Sequence, residues 1–99
     1  MAKFMVRVVL HDRPTASDYD RLDVAMCESG FLQELAGKRS AYHLPNGEYW
    51  YKGKTTASDV RMRAASAART VGREFGVIAV GVDGWSLMGL KKVTSASPE

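Results

Sequence analysis

The sequence contains a single cysteine, Cys27, among its 99 residues. One cysteine excludes an intramolecular disulfide and a cysteine-rich metal site. Cys27 falls near the apolar face of a predicted helix, so we expect its thiol to be buried and unreactive. No stretch approaches the roughly 20 apolar residues that a membrane span needs, and the first residues lack the apolar run of a signal peptide. We therefore expect a cytoplasmic protein without a membrane partner.

Short motifs that mark several common enzyme classes are also absent. Neither glycine-rich phosphate-binding pattern, G-x-x-x-x-G-K-[ST] or G-x-G-x-x-G, occurs in the sequence, and the H-E-x-x-H pattern of zinc proteases is missing. No serine lies in a G-x-S-x-G turn, which excludes the nucleophile arrangement of the α/β-hydrolases. We therefore expect no cofactor.

Two segments that begin alike predict two helices. The letters Thr-Ala-Ser-Asp occur at residues 15–18 and again at residues 56–59. In each copy the threonine can cap a helix, and the aspartate three residues later can return the hydrogen bond. Apolar residues at helical spacing follow both starts, and Gly30 and Gly72 are expected to end the two helices.

Four segments predict the strands of one sheet. Residues 3–11 alternate between apolar and polar, which is typical of a strand with one buried face. Residues 38–44 and 47–53 flank a proline–asparagine–glycine turn and predict a hairpin. Residues 75–82 are rich in β-branched side chains, and an Asp-Gly turn after them predicts a short edge strand at residues 85–90.

The order of these elements is β-α-β-β-α-β with an added edge strand. That order predicts an α+β protein with a ferredoxin-like fold, in which an antiparallel sheet carries both helices on one face. We assign residues 1–93 to a single domain and expect residues 94–99 to form a disordered tail.

One rim of the predicted sheet gathers residue types that suit phosphodiester cleavage. With the usual strand order 4-1-3-2, the strand ends there bring together the candidate catalytic residues His11, Asp12, Arg13, His43 and Glu48. Histidine can take or give a proton near neutral pH, and a cation can stabilise the charged transition state. The same residues can instead be ordinary polar surface at strand ends. A Mg²⁺ site of Asp12 with Glu48 or Glu74 is the less favoured alternative, because no ligand spacing is diagnostic.

The sheet face without helices is a candidate surface for single-stranded RNA. Arg7 and Lys52 flank Trp50 on that face, and RNA binds by base stacking combined with contacts between cations and phosphates. Arg69 and Arg73 belong to a run of four arginines without an acid at residues 61–73 and are further candidates for phosphate contact. Two alternatives stay open, because the apolar part of the face can form a homodimer interface and the arginines can be a solvated helix surface.

Two stretches resemble a known family. They are the opening strand that ends at Leu10 and His11, with its acidic helix, and residues 44–49, followed by a glycine, Thr56 and an alanine-rich helix. Together they resemble the small bacterial family named for the GhoS endoribonuclease antitoxin. The resemblance implies a ferredoxin-like fold and cleavage of a toxin's messenger RNA. Proteins of this shape are also similar to the small CRISPR-associated nuclease, which keeps an acid where Asp12 lies.

Two functional hypotheses follow from the residues and the resemblance. The first is a metal-independent endoribonuclease that cleaves single-stranded messenger RNA in toxin–antitoxin control. The second is a non-catalytic homodimeric module that binds RNA or a protein.

Overall fold

The seven regular elements form an α+β protein. The structure is a computed structural model that describes residues 2–36 and 40–93. In chain order the elements are β1 (Ala2–Leu10), α1 (Ala16–Glu28), β2 (Glu34–Ala36), β3 (Ala41–His43), β4 (Glu48–Gly53), α2 (Ala57–Arg69) and β5 (Phe75–Gly81). No helix in these ranges is long and apolar enough to cross a membrane. The predicted disordered tail at residues 94–99 lies outside the described residues.

Both helices begin at the predicted threonines. The Thr15 hydroxyl accepts a hydrogen bond from the Asp18 amide at 3.1 Å, and the Asp18 carboxylate accepts one from the Thr15 amide at 2.8 Å. This reciprocal pair satisfies two amides that a helix start would otherwise leave without partners. At the start of α2 the Thr56 hydroxyl likewise accepts a hydrogen bond from the Asp59 amide at 3.1 Å, but the return bond to the Asp59 carboxylate is not among the described hydrogen bonds. The helix starts are therefore confirmed.

The second helix ends three residues before the glycine predicted to stop it. Its last helical residue is Arg69, and Thr70 follows as the cap. The Thr70 hydroxyl donates to the carbonyl of Ala67 at 2.7 Å, which satisfies a carbonyl of the last turn. Gly72, with a φ of 83°, then redirects the chain toward β5.

β1 is the central strand of an antiparallel sheet in the order β4-β1-β5. Its alternate side chains are buried against both helices, so the helices cover one face, as predicted, and the arrangement is compatible with a ferredoxin-like fold. The buried set contributed by β1, α1 and α2 is Phe4, Val6, Val8, Leu10, Leu22, Met26, Val60, Ala64, Ala67 and Ala68. Every second side chain of β1 and the side chains along one face of each helix therefore pack into a single core.

Cys27 is exposed, so the prediction of a buried thiol is wrong. The buried stripe of α1 runs through Leu22 and Met26. Because successive residues of a helix are about 100° apart, the residue after Met26 points away from the core.

The predicted hairpin between residues 38–44 and 47–53 is also wrong. β3 pairs with β2 in a separate two-stranded sheet, and Leu32 forms the bridge to Trp50 at the outer edge of β4. The segment after α1 takes this place because Phe31 and Leu35 bury their side chains there. The turn before β4 instead docks on the central strand, since the Val8 amide donates to the carbonyl of Gly47 at 2.8 Å.

No strand forms at residues 85–90, so the predicted edge hairpin with β5 is wrong as well. The chain instead crosses the helix-free face toward β3, where Lys92 forms a bridge with Tyr42. On the way the Trp85 ring meets the Trp50 ring edge to face, with centroids 6.4 Å apart and planes at 74°. An aromatic contact of this geometry adds to the free energy of burying both indoles, which favours the crossing over a return along β5.

The approach of Gly47 to Val8 predicts a large effect of a small substitution. Gly47 has a φ of 82°, and a Cβ there would lie 2.6 Å from the Val8 carbonyl oxygen. We expect Gly47→Ala to lower the free energy of unfolding by about 2 kcal/mol or more, because a left-handed alanine is strained and its methyl group clashes with backbone. Gly84→Ala is the matched control, since no atom lies within 4 Å of its Cβ. Equal urea midpoints for the two variants would contradict the close approach.

Candidate functional site

A network of charged side chains centres on Asp18 at the rim where β1 ends. The Arg73 Nε donates to Asp18 Oδ2 at 2.5 Å, and Arg21 pairs with the other carboxylate oxygen. Only 6% of the Asp18 side chain is exposed. The pKa of Asp18 is lowered to about 2, mainly by the hydrogen bond from the Thr15 amide. Desolvation opposes this shift, but further hydrogen bonds from Arg73, the Thr15 hydroxyl and Arg21 outweigh it. Asp18 is therefore a charged anchor between α1 and the turn that follows α2.

The same network holds the loop after β1 in an unusual conformation. Asp12 and Arg13 have φ values of 64° and 58°, in the left-handed region that few residues other than glycine adopt. The Arg73 guanidinium donates to the carbonyl of Asp12 at 2.7 Å. Such backbone strain persists only where the surroundings hold it, and it is concentrated at functional sites. Arg73, predicted to bind RNA from a helix, is thus tied to this loop.

His11 lies directly before the strained pair, on the helix-free face. Its amide donates to the carbonyl of Glu74 at 2.8 Å. A Cβ at Gly76 would lie 3.7 Å from the His11 Nε2, so the imidazole lies beside that glycine. The side chain is exposed and can meet a ligand bound to the face.

The structure does not bring His43 to the same place. His43 ends β3, and β3 is separated from β1 by β4 and the segment that contains Leu32. Three interstrand spacings amount to about 14 Å. Glu48 lies closer, on β4, where it pairs with Arg7 at 3.7 Å across the strands. The predicted catalytic set is therefore divided, with only His11, Asp12 and Arg13 adjacent at the end of β1.

The helix-free face has a groove at its β4 side. Lys3 is opposite Lys52, and Met5 is opposite Trp50, in the register of β1 and β4. Trp50 lies on the predicted face, but Trp85 covers it and leaves it 4% exposed, so its expected accessibility is wrong. Trp85 itself is 41% exposed. Both tryptophans, both lysines, Leu32 and Glu34 line the groove.

Trp85 is the residue that sequence reasoning missed. The Asp-Gly turn before it is typical of a hairpin, so the sequence predicts Trp85 in an edge strand beside β5. The available signal is that Trp85 is one of only two tryptophans in the sequence. That signal indicates a side chain that needs a packing partner, but it does not identify Trp50 as the partner.

The remaining predicted RNA-binding residues are on different surfaces. Arg7 and Lys52 share the helix-free face, with exposed side chains. Arg69 is exposed in the last turn of α2, beside a groove between α2 and β5 on the opposite side of the sheet. Across residues 2–36 and 40–93, no three side chains of His, Cys, Asp or Glu converge in a way that could hold a metal ion.

Comparison with known proteins adds no relative. No family model matches the chain, and neither a curated protein nor a solved structure does so. The resemblance to the GhoS family therefore stays a prediction from the sequence.

The low pKa of Asp18 predicts how acid affects stability. A carboxylate whose pKa falls on folding stabilises the folded state above its ordinary pKa of 3.8, and that contribution is lost as the pH falls toward about 2. We expect Asp18→Asn to lower the free energy of unfolding at pH 7, with a difference from wild type that shrinks between pH 4 and pH 2. Urea titrations across that range measure the difference.

Asp20→Asn is the control for this prediction, because Asp20 is an exposed aspartate on the same helix. It should change stability little at either end of the pH range. A deficit of Asp18→Asn that is the same at pH 7 and pH 2.5 would show that the charge of Asp18 does not stabilise the fold.

Proposed function

We propose that this protein is a cytoplasmic single-stranded RNA-binding protein that uses the groove on the helix-free face. The observation that carries the proposal is the half-exposed indole of Trp85, which lines one groove together with Lys3 and Lys52. An exposed aromatic ring can stack on any base, and neighbouring cations can contact the phosphates on either side of it. Trp85 thus takes the role that the sequence suggested for Trp50.

The two lysines support an anionic ligand. Lys3 and Lys52 are directly opposite in an antiparallel pair, where Cβ atoms are about 5 Å apart and like charges destabilise the sheet. Neither lysine forms an ion pair with a side chain in the described part of the chain. A phosphate between them would remove the repulsion and gain two charge-assisted hydrogen bonds. Glu34, also in the groove, leaves a local charge of +1 (two lysines and one glutamate).

We further propose metal-independent cleavage of the bound RNA at His11. The imidazole lies on the same face as the groove, and Arg7 also points to that face, four residues before His11. In the proposed step His11 takes the proton of a 2′-hydroxyl, whose oxygen attacks the adjacent phosphorus. The bond to the 5′-oxygen breaks, and that oxygen takes up a proton from water, while Arg7 stabilises the phosphorane charge. The resemblance to the GhoS family favours a toxin's messenger RNA as the substrate.

A non-catalytic homodimer is the second candidate, favoured by the other half of the same face. Val9, Ile78 and Val80 form an exposed apolar row where β1 meets β5, and the Ile78 side chain is 59% exposed. A row of β-branched side chains in water is costly, and a second copy could cover it. This candidate predicts that the face is occupied by protein instead of RNA.

The groove predicts separate effects of its tryptophan and its lysines on RNA affinity. We expect Trp85→Ala to weaken binding by about 1–3 kcal/mol at every salt concentration, because stacking releases few ions. Lys3→Ala and Lys52→Ala should each reduce the slope of log affinity against log salt by about 0.7, the share of one phosphate contact. Titration of a fluorescent U- and A-rich oligonucleotide at several salt concentrations measures both quantities.

Met88→Ala is the control, because Met88 lies on the same crossing segment but is 92% exposed and touches none of the groove. It should bind as wild type does. Wild-type protein that fails to bind the oligonucleotide at low salt would contradict the RNA proposal. If the same samples also sediment as dimers, the second candidate stands instead.

The separation of the two histidines predicts which one cleavage depends on. We expect His11→Ala to reduce the rate of cleavage of a labelled mixed-sequence RNA about 100-fold or more, since it removes the proton-transferring group. His43→Ala is the control on β3 and should leave the rate unchanged. Activity should persist in EDTA. Equal losses in both variants, dependence on Mg²⁺, or no cleavage by wild type would reject this mechanism without affecting the binding titration.

A further inference from the structure

The outer edge of β5 has backbone groups without partners among the described residues. The Val82 amide donates to the Lys3 carbonyl at 2.9 Å, and the His11 amide donates to the Glu74 carbonyl. Because hydrogen-bonded pairs alternate along an antiparallel ladder, the amides and carbonyls of the even-numbered residues of β5 point toward β1. The amides and carbonyls of the odd-numbered residues therefore point outward. These residues are Phe75, Val77, Ala79 and Gly81. No other described segment bonds to them.

This edge lacks the devices that normally prevent strand addition. Edge strands are usually interrupted by proline, charged side chains or a bulge. The β5 sequence FGVIAVG has no charge and no proline, and all seven residues pair with β1 in continuous register. The edge is thus a regular template of alternating donors and acceptors.

A groove runs beside this edge, on the face of the sheet that carries the helices, and an arginine lies at each of its two ends. Met62 of α2 and the side chains of Phe75 and Val77 form its apolar part, and Arg61 and Arg69 lie at its ends. Met62 is 58% exposed, although a methionine is costly to leave in water. Eight residues of helix separate the two arginines, which is about 12 Å.

We propose that β5 accepts an extended acidic segment of a partner protein as an added antiparallel strand. Alternate side chains of such a strand would enter the groove. Because a strand rises about 3.3 Å per residue, acidic residues four positions apart match the spacing of Arg61 and Arg69. An apolar residue midway between them would cover Met62. The residues between these positions, if β-branched, would lie beside Ile78 and Val80 on the other face of the sheet. One segment would then pair with the backbone of the edge, fill the groove and neutralise both arginines.

A second copy of this chain fits the edge less well. Antiparallel pairing of two β5 strands would place both α2 helices on the same face of one sheet, with Arg61 and Arg69 of each copy facing the other copy. β5 itself contains no acidic residue to offset these charges. Like charges facing each other across an interface oppose association.

The test uses the full chain and a fluorescent ten-residue peptide with Glu-Val-Leu-Val-Glu at its centre. We expect saturable anisotropy binding, together with slower amide exchange at residues 75, 77, 79 and 81 and no change at residues 76, 78 and 80. Methylating the amide of the central leucine, which faces β5 in antiparallel pairing, should abolish binding. Methylating the amide of a valine, which faces solvent, should be tolerated. A peptide of the same composition with both glutamates at one end should bind about tenfold more weakly.

Charge variants of the protein complete the test. Arg61→Glu with Arg69→Glu should lower peptide affinity at least tenfold. The control with the same net charge is Arg63→Glu with Lys54→Glu, because Arg63 lies over the Tyr51 ring on the far side of α2, and it should bind as wild type does. Equal losses in the two double variants, or no protection of the odd-numbered amides, would overturn the proposal. Protection without peptide that grows with protein concentration would also overturn it, by assigning the edge to a second copy.

Discussion

The contact between the Asp18 carboxylate and Arg73 joins parts of the chain that no other described ion pair connects. Asp18 closes the first turn of α1 through Thr15, while Arg73 comes from the turn between α2 and β5. Arg73 also holds the Asp12 carbonyl at the end of β1. Asp18 is 6% exposed and Arg73 is 29% exposed, so removing Arg73 leaves the nearly buried carboxylate without one of its two arginine partners. The contact therefore connects the first turn of α1, the turn after α2 and the left-handed loop after His11.

A second polar contact anchors the opposite side of the core. The hydroxyl of the fully buried Tyr49 donates to Asp23 at 2.5 Å, which connects β4 to α1. Burial, followed by the hydrogen bond to Asp23, raises the pKa of the Tyr49 hydroxyl above its ordinary range. The tyrosine therefore stays a neutral donor throughout the range in which proteins are stable. Asp18 and Asp23 thus connect α1 to the turn after α2 and to β4. The helices cover one face of the sheet only, and no helix of the described residues covers the other face.

The two faces and the free edge of the sheet support distinct kinds of recognition. On the helix-free face, Trp85 with Lys3 and Lys52 combines an aromatic ring with cations, which suits a nucleic acid strand. At the edge of β5, backbone donors and acceptors beside Arg61 and Arg69 suit an acidic peptide. The two proposed sites use different residues.

The sequence by itself determined the elements whose signals are local. Such signals depend on neighbours within a few residues of the chain. They are the caps at Thr15 and Thr56, the alternation along β1 and the apolar stripes of both helices, and all are confirmed. The helix-free face followed from the same alternation, and so did the candidate positions of Arg7, His11 and Lys52. These patterns also indicated the α+β class, because two helices of this amphipathicity need a sheet on which to bury their stripes.

Only the tertiary structure decided which strands pair and which side chains meet. The hairpin signal at residues 45–47 was real as a turn, but the segment beside β4 is the one in which Phe31 and Leu35 bury their side chains, and β3 pairs with β2. That exchange separates His43 from His11. Trp85 crosses the sheet to Trp50 for the same reason, and Asp18 meets Arg73 across 55 residues of sequence. Partners so distant compete through burial and charge over the whole chain, and no local pattern records the outcome.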